Sequence, residues 1–124
     1  MVKKILVVDD DPGVSHTIKY GLESLDDNYK VSTVDSGEEC FEILENKQIP
    51  DLIILDIMMP EMNGWEVEKR LRGDLEWRKI PILFLTATGD PTSKKICDII
   101  SEGLIEKPCI IPDLKKRIDL ILKD

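Results

Sequence analysis

Five short apolar runs alternate with five amphipathic stretches along the chain, and this alternation restricts the fold more than any other feature. Ile5 to Val8 is rich in β-branched residues and reads as a strand. Asp11 supplies a helix N-cap and Pro12 the first helical position. Val14, Ile18, Leu22 and Leu25 then recur at helical spacing, so a helix is expected over about 12–25. Val31 to Val34 reads as a second strand. Ser36 and Glu39 form a capping-box pattern ahead of a helix that carries Cys40, Ile43 and Leu44. The run DLIILDIMMP, residues 51–60, supplies a third strand, and a loop through Pro60 and Gly64 leads to a helix holding Val67 and Leu71. Pro81 to Leu85 is expected as the fourth strand, with Pro81 tolerated at its first position. Thr92 is the expected N-cap of a short helix over Ser93 to Ile100. Leu104 to Glu106 is a weak fifth strand, and Pro112 opens a last helix with an apolar face of Leu114, Ile118, Ile121 and Leu122.

Strands alternating with helices predict an α/β domain with a parallel sheet. Nearly continuous apolar strands are expected when helices cover both faces. The chain's 124 residues suit a single domain, expected over 1–124, with no linker or repeat.

In a doubly wound sheet, ligands sit beyond the carboxyl ends of the strands, where the strand order reverses. The first strand runs out into Asp9, Asp10 and Asp11, the third into Asp56, the fourth into Thr86 and the fifth into Lys107. Carboxylates, a hydroxyl and an ammonium are thus expected on one edge. Two carboxylates at ~4 Å repel by about 4 kcal/mol at an effective dielectric of about 20. Either one takes up a proton or a cation lies among them. Oxygen ligands of this kind favour Mg²⁺. Magnesium, an ammonium and a hydroxyl make a receptor for a phosphoryl group, and a carboxylate facing it can act as the nucleophile. Asp56, alone at the end of the most apolar strand, is the expected acceptor. Asp11 is read as a helix cap, and His16, the only histidine, as a helix-face residue.

Composition narrows the partners. Seventeen Lys and Arg against 25 Asp and Glu leave a net charge of −8, which argues against binding nucleic-acid phosphates or an anionic membrane. Cys40, Cys97 and Cys109 are odd in number, far apart and without zinc spacing, as expected of reduced thiols. The apolar run in MVKKILVV is too short for a signal peptide or a span, so a cytoplasmic location is expected.

The motifs ILVVDDDP, LIILDIMMPEMNG, ILFLTA and EKP, in that order, resemble the receiver domain of two-component response regulators along essentially the whole chain. The resemblance implies a flavodoxin-like (βα)5 fold, doubly wound, with strand order 2-1-3-4-5. It implies that a histidine kinase or phosphotransfer protein phosphorylates Asp56 in a Mg²⁺-dependent reaction. Asp9, Asp10, Asp56 and the backbone carbonyl of Met58 would hold the metal. Thr86 would follow the phosphoryl group as a switch hydroxyl, and Lys107 would pair with it. Lys107-Pro108 would be a cis peptide. Ala87 would keep the pocket open, Pro60 and Gly64 would shape its loop, and Met58 and Thr88 would flank it and tune hydrolysis. The implied readers are a downstream protein effector, a C-terminal output domain, or a phosphorylation-dependent homodimer. The implied role is a switch, not a metabolic enzyme.

Three positions depart from the family pattern. Leu104 stands where an aromatic residue usually partners the threonine, ISEGL lacks the usual Gly-Ala pattern, and Cys109 replaces a Phe. Two other functions fit less well. A dehalogenase-like phosphatase needs an acid two residues after its nucleophile, where this chain has Met58. A pseudo-receiver, binding proteins without taking up phosphate, would usually lack an acid or the lysine, and all are kept here.

Overall fold

The computed structural model describes residues 2–87 and 91–123. Strands β1 (Lys3–Val8), β2 (Tyr29–Val34), β3 (Leu52–Asp56), β4 (Ile82–Thr86) and β5 (Leu104–Glu106) alternate with helices α1 (Pro12–Leu25), α2 (Gly37–Glu45), α3 (Gly64–Arg72), α4 (Pro91–Ile100) and α5 (Ile111–Ile121). All pairings are parallel and the sheet runs β2-β1-β3-β4-β5. This is the flavodoxin-like order expected from the motifs.

Two cores sandwich the sheet. Leu6, Val8, Ile53, Leu55, Ile82 and Phe84 face α2, α3 and α4. Ile5, Val7, Leu52, Ile54, Leu83 and Leu85 face α1 and α5. Every residue of β3 and β4 is buried, which explains their unbroken apolar runs.

Local chemistry sets the boundaries. Asp11 caps α1, its carboxylate accepting the Gly13 N–H at 2.9 Å, with Pro12 at the first position. At α2, Ser36 Oγ accepts the Glu39 N–H at 3.1 Å. The return bond goes to the Asp35 N–H at 3.1 Å, not to Ser36, so only half of the expected box forms. A complete box, unforeseen, opens α3: Asn63 accepts from Glu66 and Glu66 from Asn63. Helix α4 begins at Pro91, so Thr92 lies in its first turn and is not the cap. A proline there loses nothing, because first-turn N–H groups lack intrahelical partners. Pro81 stands just outside β4, yet its carbonyl still accepts the Ile53 N–H at 3.0 Å.

Side chains close β2, an edge strand. Its Val31 N–H donates to Glu23 Oε2 at 2.9 Å, and Lys19 Nζ donates to the Val31 carbonyl at 2.8 Å. At the amino end of the sheet, Asp119 of α5 accepts from Lys3 at 2.8 Å, from Lys115 at 2.7 Å and from the Tyr29 hydroxyl. Burial pushes this carboxyl up, but these donors outweigh it and hold Asp119 well below the usual carboxylate range.

Gly64 matters most for the site. A Cβ there would lie 2.5 Å from the Asp56 carbonyl and 2.8 Å from Ile57 Cα, both backbone atoms that cannot swing aside. Gly64→Ala is therefore expected to destabilise the fold by about 1–3 kcal/mol in urea unfolding, the usual range for overpacking.

Candidate functional site

Strand β1 pairs with β2 on one side and β3 on the other, so the strand order reverses at its carboxyl end. Asp9 follows β1, and Asp56 ends β3. Parallel register therefore brings their side chains to one edge. Asp9 is 1% exposed and Asp56 2%, while Asp10 is exposed. One carboxylate oxygen from each of Asp9, Asp10 and Asp56 lies within 4.8 Å of the others.

Lys107 reaches in from the segment after β5. Its backbone N–H donates to the Thr86 carbonyl at 2.7 Å, which sets the lysine beside the end of β4. Its ammonium lies 2.8 Å from Asp9 Oδ2 and 3.3 Å from Asp56 Oδ1. The Lys107-Pro108 peptide is cis. Thr86 is buried at the carboxyl end of β4, on the same edge. Ala87 is exposed beside it, and Thr88 lies outside the described residues.

The loop after β3 shapes the acceptor. The Met58 N–H donates to Asp56 Oδ1 at 3.3 Å, and Met58 itself is 72% exposed. The Gly64 N–H donates to the Ile57 carbonyl at 2.8 Å and ties the loop to the start of α3. Behind Asp9, its Oδ1 accepts the Asp11 N–H at 2.9 Å, and Ser15 Oγ donates to its carbonyl at 3.4 Å. Ser15 was missed because it is polar, although its spacing to Ile18 and Leu22 puts it on the buried face of α1.

Charge balance is uneven, with three carboxylates against one ammonium. Burial, and then the charge on Asp9, push the Asp56 carboxyl up to about 6, with Lys107 opposing them. Burial alone would depress Lys107, but its bonds and charge attraction to Asp9 and Asp56 raise it above the usual lysine range. Among the described residues, Lys107 is the one cation facing both buried carboxylates, Asp9 and Asp56. An all-oxygen set of two buried carboxylates and one exposed one, with a single ammonium among them, suits a hard divalent cation that keeps some of its waters.

Residues 5–119 match the response regulator receiver domain family. The chain belongs to that family. Across 99% of its length this receiver domain is 34% identical to the phosphate regulon transcriptional regulatory protein PhoB of Rhizobium meliloti, covering 53% of that protein. It is 36% identical to the alkaline phosphatase synthesis transcriptional regulatory protein PhoP of Bacillus subtilis, again over 99% of the chain and covering 50% of PhoP. The chain thus spans about half the length of these curated relatives. Among solved structures it resembles the N-terminal domain of a response regulator receiver protein from Methanoculleus marisnigri, with 38% identity, a TM-score of 0.78 and coverage of 100% and 99% of the two chains. It also resembles the chemotaxis protein CheY4 of Vibrio cholerae, with 28% identity, a TM-score of 0.85 and coverage of 98% and 100%.

Receiver domains are phosphoacceptor switches and not metabolic enzymes, and they bind Mg²⁺ at an acidic cluster such as the one formed here. Response regulators work with histidine kinases and output domains. No helix among the described residues is long and apolar enough to cross a membrane.

A raised folded pKa means that the folded receiver binds the Asp56 proton more tightly than the unfolded chain does. This contribution to stability is full below the unfolded value of 3.8 and disappears as pH rises through about 6. In Mg²⁺-free buffer Asp56→Asn should therefore raise Tm at pH 7 by roughly 2–5 °C, allowing for partial solvent screening. The gain should shrink towards zero as pH falls to about 4, measured by thermal denaturation across that range.

Proposed function

We propose that residues 1–124 act as one receiver domain that takes a phosphoryl group on Asp56 from a histidine kinase or phosphotransfer protein. The observation that carries this reading is the convergence of Asp9, Asp10 and Asp56 within 4.8 Å, with Lys107 between two of them. A carboxylate oxygen of Asp56 attacks phosphorus. The O–P bond forms as the donor's N–P bond breaks, and the imidazole leaves with the electron pair. Mg²⁺, held by Asp9, Asp10, Asp56 and the Met58 carbonyl, would neutralise charge on the transferred group.

The chain's own residues do the rest. The Met58 N–H orients Asp56 Oδ1. Lys107 exchanges one carboxylate partner for phosphoryl oxygens, so its charge stays paired throughout. Thr86, on the adjacent strand end, offers a hydroxyl to the new phosphoryl group. That bond is the differential contact that shifts the population of a second surface state. The surface is read by a downstream protein, by an output domain of a longer regulator or by a second copy of the receiver. The net charge of −8 supports protein partners, with no direct contact to nucleic acid or membrane. The three free cysteines support a reducing, cytoplasmic setting.

Incubation with acetyl phosphate and Mg²⁺, followed by intact-mass spectrometry, tests the reading. One added phosphoryl group is expected in the parent and none in Asp56→Asn. An unmodified parent that remains folded would instead favour a phosphorylation-independent binding module. Met58 lies two residues after Asp56 and is exposed, where its bulk would hinder an attacking water, so Met58→Asn should speed autodephosphorylation about three- to tenfold, equivalent to ~1 kcal/mol of barrier. An unchanged phosphate-release rate would contradict that role.

A further inference from the structure

A second cavity, of about 360 Å³, lies at the opposite end of the strands from Asp56. Its floor includes Leu6, Ile43 and Ile49, from β1, α2 and the loop before β3. Its charged lining residues are all lysines: Lys4, Lys30 and Lys47. In a domain of net charge −8 this local inversion of sign is notable in itself.

The lysines are also arranged at a disadvantage. Lys4 and Lys30 stand directly in register on neighbouring parallel strands, and both line the cavity. Like charges opposed in this way destabilise a sheet. Among the described residues neither ammonium has an ion-pair partner. The Asp51 carboxylate beside them accepts the backbone N–H of Lys4 at 2.8 Å. Lys47 meets Glu76 at 3.1 Å, but both side chains are more than half exposed, so that pair is weak and easily exchanged. Ile49 is 38% exposed between these cations.

We propose that this trough is a docking site for an acidic, amphipathic segment of a partner protein. Its carboxylates would lie between Lys4, Lys30 and Lys47, and an apolar side chain would enter over Ile43 and Ile49. Charge complementarity selects the occupant, because an anion between Lys4 and Lys30 removes their mutual repulsion. At about 360 Å³ the trough has room for one apolar side chain flanked by carboxylates. Strand addition is disfavoured as the mode, since Glu23 and Lys19 already occupy the outward N–H and C=O of Val31 on the adjoining edge. The site is separate from the carboxylate cluster, so docking and phosphorylation can occur on one molecule.

The test is an amide NMR titration of the whole chain with a blocked synthetic peptide that alternates Glu with Leu. Saturable shifts are expected at Lys4 to Leu6, Lys30 to Ser32 and Ile43 to Ile49. Binding should weaken about tenfold or more in Lys30→Glu, equivalent to ~1.4 kcal/mol, with the remaining spectrum unchanged, and should persist in Asp56→Asn. A peptide alternating Lys with Leu should produce none of these shifts. The proposal is overturned if the acidic peptide gives no saturable shifts, if they fall elsewhere, or if Lys30→Glu binds equally well. Equal shifts from acetate at matched carboxylate concentration would also overturn it, in favour of a simple anion site.

Discussion

Asp9 and Asp56 are buried carboxylates sharing one ammonium, and that deficit of positive charge governs the rest of the site. Two anions and one cation out of water are a poor arrangement unless a further positive charge joins them. The fold does not relieve the deficit internally. It leaves one ammonium for both buried carboxylates and adds Asp10 at the mouth. A conformation of this kind persists because the surrounding structure over-determines it. Asp9 is held by the N–H of Asp11 and the hydroxyl of Ser15, Asp56 by the N–H of Met58, and Lys107 by the Thr86 carbonyl. The uncompensated negative charge at the acidic edge is what suits that edge to a cation.

The sheet is the reason such a site can exist. Parallel strands with both faces buried cannot slide by one residue without turning core side chains over, so their ends are fixed relative to one another. Asp56 is held by four apolar residues before it and by the close approach of Gly64 to its carbonyl. The opposite end is clamped by Asp119, which draws β1, β2 and α5 together. Closure of the β2 edge by Lys19 and Glu23 discourages pairing with other strands, so partners must approach through side-chain surfaces.

Much of this was legible in the sequence. The strands appear as apolar runs because both of their faces are buried, and the residues at or just beyond their ends share one edge because the strands are parallel. Asp9, Asp10, Asp56, Thr86 and Lys107 could therefore be placed together before any pairing was known. Other features were not legible, for identifiable reasons. The Asn63–Glu66 box was hidden in a loop where Pro60 and Gly64 were the stronger signals. Thr92 looked like a cap because threonine is a common one, but Pro91 already opens the helix. The Asp119 network and the lysine trough each depend on residues far apart in the chain. Register alone sets Lys4 beside Lys30, and no local pattern encodes it.

The central claim is that the cluster of Asp9, Asp10 and Asp56 is completed by a divalent cation. Thermal denaturation over increasing MgCl2, at constant ionic strength, tests it most directly. A ligand that binds only the folded state raises stability by RT ln(1 + [L]/Kd), about 2.7 kcal/mol at a hundredfold excess over Kd. A saturable rise in Tm of several degrees is expected, and it should be lost in Asp9→Asn. A flat response, or an equal rise in Asp9→Asn, would contradict it.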